Sequence, residues 1–197
     1  MTKKELYDIL KERFQEVLKE HQIENDHLSV SCRSLTPEEA IGKTKRTDYP
    51  ILTGKDVMIQ AEYKGFRGQA FTDAPSAFEG MLEDILQMDI EHDPHDRGIF
   101  IATVNAVMAS LGLCCGTVHC RTEGPELCAQ DMLNYLESNY PDVKRIALVG
   151  FQPSLLEMLS KSKYDVRVMD LNPNNIGQLK FGIRVEDGTA MKEEIRD

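Results

Sequence analysis

Apolar residues recur early in the chain as Leu6, Ile9, Leu10, Phe14, Val17 and Leu18, a spacing that predicts an amphipathic helix ending near His21. Thr2-Lys-Lys-Glu5 has the form of a capping box at its start. The period then changes to two. Leu28, Val30 and Cys32 alternate with Ser29, Ser31 and Arg33, which predicts a half-buried strand over 27–33 with Cys32 on its core face. Thr36-Pro-Glu-Glu39 opens a short helical turn, and Lys43 to Asp48 reads as a solvated loop. Val57, Ile59, Ala61 and Tyr63 then alternate with Met58, Gln60 and Glu62. Lys64-Gly65 turns the chain, and Phe66 to Phe71 returns as a second strand.

Ser76-Ala-Phe-Glu79 has capping-box form, with Phe78, Met81, Leu82, Ile85 and Leu86 at helical spacing behind it. After the polar loop Glu91 to Asp96, the segment Gly98–Leu111 is almost wholly apolar or small, so it predicts a helix buried on most sides. Asn105 inside it needs a partner: either backbone of a neighbouring element satisfies its amide, or it faces a binding site. Pro125 marks the first turn of a further helix carrying Leu127, Cys128, Met132, Leu133 and Leu136. Arg145–Gly150, Pro153–Lys161 and Tyr164–Asp170 then read as strand, helix and strand, a compact β-α-β unit. The pattern as a whole predicts an α/β protein.

Composition narrows the function classes. The chain has 197 residues, 41% of them hydrophobic and 28% charged, the profile of an ordinary globular protein of one substantial domain or two small ones. A net charge of −10 with dispersed basic residues argues against a nucleic-acid partner. No apolar run is long enough to suggest a membrane partner, and the N-terminus lacks a signal-peptide core. Five cysteines, an odd number and clustered, point to a reducing cytoplasm with free or metal-bound thiols.

Four of those cysteines carry the strongest chemical signal. Cys114, Cys115, Cys120 and Cys128 lie within fifteen positions together with His119. Thiolate and imidazole are preferred ligands for zinc, copper(I) and iron–sulfur centres, so a transition-metal site is expected at Cys120 and Cys128 first, His119 next, then Cys114 or Cys115. The spacing is not that of a zinc finger, which uses two short clips. Cys128, near a helix start, is placed where the helix dipole favours thiolate. His92-Asp93-Pro94-His95-Asp96 also has metal-suited composition, although such loops are commonly just solvated. A second signal is Gly150 at the end of one strand and Asp170 at the end of the next, where a Rossmann unit places its phosphate turn and its ribose-binding carboxylate. The turn Gly-Phe-Gln-Pro has one glycine of the usual three, and Asp170-Leu-Asn-Pro-Asn-Asn also reads as a turn in which side chains bond their own backbone.

Gly68-Gln-Ala-Phe-Thr-Asp73, Arg97-Gly98 leading to Asn105-Ala-Val107, Gly116-Thr-Val-His-Cys120 with Pro125 and Cys128, and Val149-Gly-Phe-Gln-Pro153 together resemble a heavy-metal chelation family. The resemblance runs from about residue 50 to the end. It implies an N-terminal α+β domain similar to the small domain of enolase over 1–112, a Rossmann-like domain over 113–197, and a ligand site in a cleft between them. Family members continue past the second Rossmann strand with further strands and a threonine-rich turn, so the Rossmann-like part is expected to be incomplete here. A site needing those strands would be completed by another chain, which makes a homo-oligomer one expected arrangement. The functional expectation is a protein that binds a transition metal (zinc, iron or another soft metal) or a metal-bearing small molecule. The alternative is an enzyme using a nucleotide-like ligand or S-adenosylmethionine at Gly150, Asp170 and Asn105, with Cys120 or Cys128 as a reactive thiol. A third reading leaves every cysteine as packing.

Overall fold

The structure is a computed structural model that describes residues 3–26, 30–54, 57–116 and 120–190. The chain is α/β and forms two compact units, Met1–His119 and Cys120–Asp197. The first unit therefore ends after Cys114 and Cys115, and Cys120 opens the second.

In the first unit, α1 (Lys3–Glu20) is followed by β1 (Val30–Ser34), α2 (Pro37–Ile41), a 3-10 turn (Pro50–Thr53), β2 (Val57–Tyr63), β3 (Phe66–Thr72), β4 (Phe78–Gly80), α3 (Leu82–Gln87) and α4 (Pro94–Ser110). The strands form one antiparallel sheet in the order β3-β2-β1-β4. The β2–β3 hairpin turns through Lys64 and Gly65, both at positive φ (50° and 80°), the mirror-image turn whose twist matches that of the strands it joins. Alternation along β2 gives the sheet two covered faces. Ile59, Ala61 and Tyr63 bury beneath α1 and α4 with Phe14, Leu18, Phe100 and Ala106, while Met58 on the opposite face packs against Leu35, Ala40, Ile41 and Ile51.

Glycine sets how closely α4 can lie on the sheet. A Cβ at Gly68 of β3 would stand 2.1 Å from Ala106 N and 2.2 Å from Ala102 O, both backbone atoms of α4. On the helix side, a Cβ at Gly98 would stand 3.1 Å from Ile59 Cδ1. Two of the residues that carry the family resemblance are thus accounted for by the approach of a helix to a strand.

In the second unit, α5 (Gly124–Asn139), β5 (Arg145–Val149), α6 (Pro153–Ser160), β6 (Asp165–Asp170), β7 (Leu179–Lys180) and β8 (Ile183–Asp187) build a sheet in the order β5-β6-β8-β7. β5, β6 and β8 are parallel, and β7 pairs with β8 in the opposite sense. Leu148, Val166, Val168 and Val185 from the strands bury with Leu156 and Leu159 of α6, and Leu133 and Leu136 of α5 pack on the same cluster.

Several elements differ from the sequence reading. The helix expected from Ser76 is a strand followed by a helix, because Phe78 pairs with Cys32 in the ladder to β1 and the helix starts only after Met81, whose N–H donates to Asp84. The helix expected from Gly98 begins at Pro94, since Asp93 accepts from the His95 and Asp96 N–H groups (2.7 and 3.4 Å) and Pro94 needs no partner for a missing N–H. The Thr2 capping box and residues 27–29 of the first predicted strand lie outside the described residues. No helix among the described residues is long and apolar enough to cross a membrane.

Candidate functional site

The candidate thiol site is built at the start of α5. Pro125 occupies the first turn, where its fixed φ suits the helix, and the ladder begins with Leu127 N–H donating to Glu123 O at 3.1 Å. The preceding loop folds back on this turn. Gly124 N–H donates to Arg121 O at 2.8 Å, and Thr122 takes a left-handed φ of 55°, unusual for a non-glycine residue. That reversal lays Cys120 over Gly124: a Cβ at Gly124 would stand 3.4 Å from Cys120 Cβ and 3.9 Å from its Sγ. Cys128 is one helical turn beyond Gly124 and so shares its face. The two thiols are neighbours there.

Partial burial first, and then the neighbouring Cys128 sulfur, hold the Cys120 thiol above its ordinary pKa. Cys128 is the fifth residue of α5, past the unpaired N–H groups of the first turn, so the dipole contact expected for it is weaker than the sequence suggested. Both sulfurs belong to exposed residues. Cys32 shows the contrast: it is 3% exposed in the sheet core, and burial pushes its thiol up to about 11, which suits packing rather than chemistry.

The other expected ligands divide differently. Cys114 and Cys115 are exposed at the end of the first unit, and His119 lies outside the described residues. Among the described residues, no group of three or more His, Cys, Asp and Glu side chains is placed to hold a metal ion. The His92 loop is occupied with its own structure: His92 Nδ1 lies 3.1 Å from Asp89 Oδ1, and Asp93 caps α4.

At the β-α-β unit, Asp170 is bound up in turn chemistry. Its carboxylate accepts from Asn172 N–H (3.0 Å), Asn175 Nδ2 (2.8 Å) and, across the strand ends, Phe151 N–H (3.3 Å). Burial raises its pKa, but these hydrogen bonds and one from Leu171 N–H outweigh that and hold it below the usual carboxylate range. Gly150 has a φ of 88°, and a Cβ added there would meet nothing within 4 Å. Glycine at this position supplies a backbone conformation that other residues adopt only with strain. Asn105 was expected on a buried helix but is exposed, because the α4 face it occupies is uncovered; its amide donates to Gln69 O of the edge strand β3 at 2.9 Å. Backbone of a neighbouring element thus accepts one hydrogen of its amide.

Comparison of the chain with family models, curated proteins and solved structures returns no match.

Two features were missed by the sequence reading. Gly124 gives Cys120 the space to lie on the helix, and the Gly-Pro pair before the α5 apolar stripe was the available signal. The second is a crevice of about 230 Å³ in the first unit, where Phe71, Thr72 and Asp73 at the end of β3 face Pro94, Arg97 and Gly98 of α4. The packing of α4 on β3 brings those segments together.

Proposed function

We propose that this protein binds a soft metal ion through Cys120 and Cys128. The observation that carries this reading is the placement of two exposed thiols, Cys120 and Cys128, as neighbours beside the side-chain-free position Gly124. Thiolates select soft ions, and two of them suit a low-coordinate copper(I)-like ion. Zinc in a structural site takes four ligands, and the described residues supply no third donor to the pair. Copper(I) is therefore the better match to the donor set.

The alternative, a nucleotide-like or S-adenosylmethionine ligand at Gly150 and Asp170, has less support. A ribose hydroxyl at Asp170 would compete with the Asn172, Asn175 and Phe151 donors already on its carboxylate. The metal reading is tested by anaerobic titration of the reduced chain with copper(I) against a chromogenic chelator. One ion per chain withheld from the chelator is expected, with protection weakening as pH falls because the thiols must lose protons to bind. Protection equal in the wild type and in Cys120→Ser would contradict it.

A further inference from the structure

We propose that Cys120 and Cys128 form a reversible disulfide, making the start of α5 a redox modification site for peroxide. The inference rests on the placement of both thiols against Gly124 on one face of α5 and does not depend on metal binding. A disulfide needs two half-cystines whose Cβ atoms face each other at close range with nothing between them. Here Cys120 lies over the first turn of α5, 3.4 Å from where a Cβ at Gly124 would be, and Cys128 follows on the same face one turn later. The residue between them is glycine, so no side chain separates the sulfurs. Both cysteines are free and exposed, which gives an oxidant access.

Either thiol can attack first and the product is the same; Cys128 serves here as the first nucleophile. Its thiolate takes one oxygen of hydrogen peroxide as the O–O bond breaks, forming a sulfenic acid while the other oxygen leaves as water after protonation. Cys120 then attacks the Cys128 sulfur, the S–O bond breaks, and a second water leaves. The balance is two thiols and one hydrogen peroxide giving one disulfide and two waters: two electrons pass from sulfur to peroxide. A dithiol reductant reverses the step by thiol exchange. The closed disulfide has no thiolate to offer a soft metal, so oxidation and metal binding exclude each other at this site.

The test uses the full reduced chain, free of metal, treated with one equivalent of hydrogen peroxide, alkylated and digested without reductant for mass spectrometry. A Cys120–Cys128 cross-linked peptide, two hydrogens lighter than the reduced pair and restored by dithiothreitol, is expected as the main product. It should persist in the Cys114→Ser/Cys115→Ser variant. In Cys120→Ser, the Cys128 sulfenic acid loses its resolving thiol and should label with dimedone at least several-fold more than in the wild type. Alkylated Cys120 and Cys128 after oxidation, or cross-links running mainly to Cys114, Cys115 or a second chain, would overturn the proposal. Because no metal is added, this result is separate from the copper(I) titration.

Discussion

Phe151 N–H donates to Asp170 Oδ2 at 3.3 Å, so the turn leaving β5 is tied to the end of β6 by one carboxylate that also organises the loop after β6. Asp170→Ala removes the acceptor of four donors at once, the Phe151, Leu171 and Asn172 N–H groups and the Asn175 amide. It is expected to lower the stability of the second unit by about 1–3 kcal/mol, the range for hydrogen bonds to a charged acceptor. Urea denaturation measures it, and a loss below about 0.5 kcal/mol would show that these bonds add nothing over water.

The same carboxylate gives a pH dependence with a defined sign. Its folded pKa is depressed, so its contribution is fully present above the ordinary carboxylate range and is lost as pH falls through the lower folded value. The acid limb of the stability curve should be shallower in Asp170→Asn than in the wild type. Parallel acid limbs would contradict the assignment.

Gly68 and Gly98 make a matched pair of substitutions. Gly68→Ala drives a methyl against Ala106 N and Ala102 O, which cannot move without shifting α4, and is expected to cost about 1–3 kcal/mol or more. Gly98→Ala meets the flexible end of Ile59 at 3.1 Å and gains up to about 1 kcal/mol of helix propensity, so its net effect should be near zero. Equal losses from the two in thermal or urea unfolding would remove the close approach at Gly68 as the explanation.

Gly150→Ala tests whether that position serves backbone or ligand. The open space around it predicts no crowding, and its φ of 88° predicts a strain cost of about 1–2 kcal/mol from a left-handed alanine. A variant as stable as the wild type would mean that the turn relaxes freely.

The parts legible in the sequence are those where local period and turn chemistry agree with the final packing. The β2–β3 hairpin follows from alternation around Lys64-Gly65, and the Arg145–Asp170 unit follows from two apolar runs separated by a proline-initiated helix. Cys32 was readable as core because it alternates with polar neighbours. Phe78–Gly80 was not, since a capping-box pattern and a strand pairing compete there, and the pairing to β1 is a tertiary event with no local mark. Nor were β7 and β8, only two and five residues long, foreseeable from period. In the candidate site, the sequence put Cys120 and Cys128 first among the expected ligands but did not show how the chain brings them together. The Thr122 reversal and the absence of a side chain at Gly124 bring Cys120 onto the helix face that carries Cys128, and neither is visible in a count of soft ligands.

The most direct test of the central claim is the copper(I) stoichiometry of the reduced chain by native mass spectrometry, wild type beside the Cys120→Ser/Cys128→Ser variant, with Cys114→Ser/Cys115→Ser as the control. One ion on the wild type and on the control, and none on the Cys120/Cys128 variant, is the predicted result. Unchanged loading of the Cys120/Cys128 variant, or loss of the ion only in the Cys114/Cys115 control, would contradict the account.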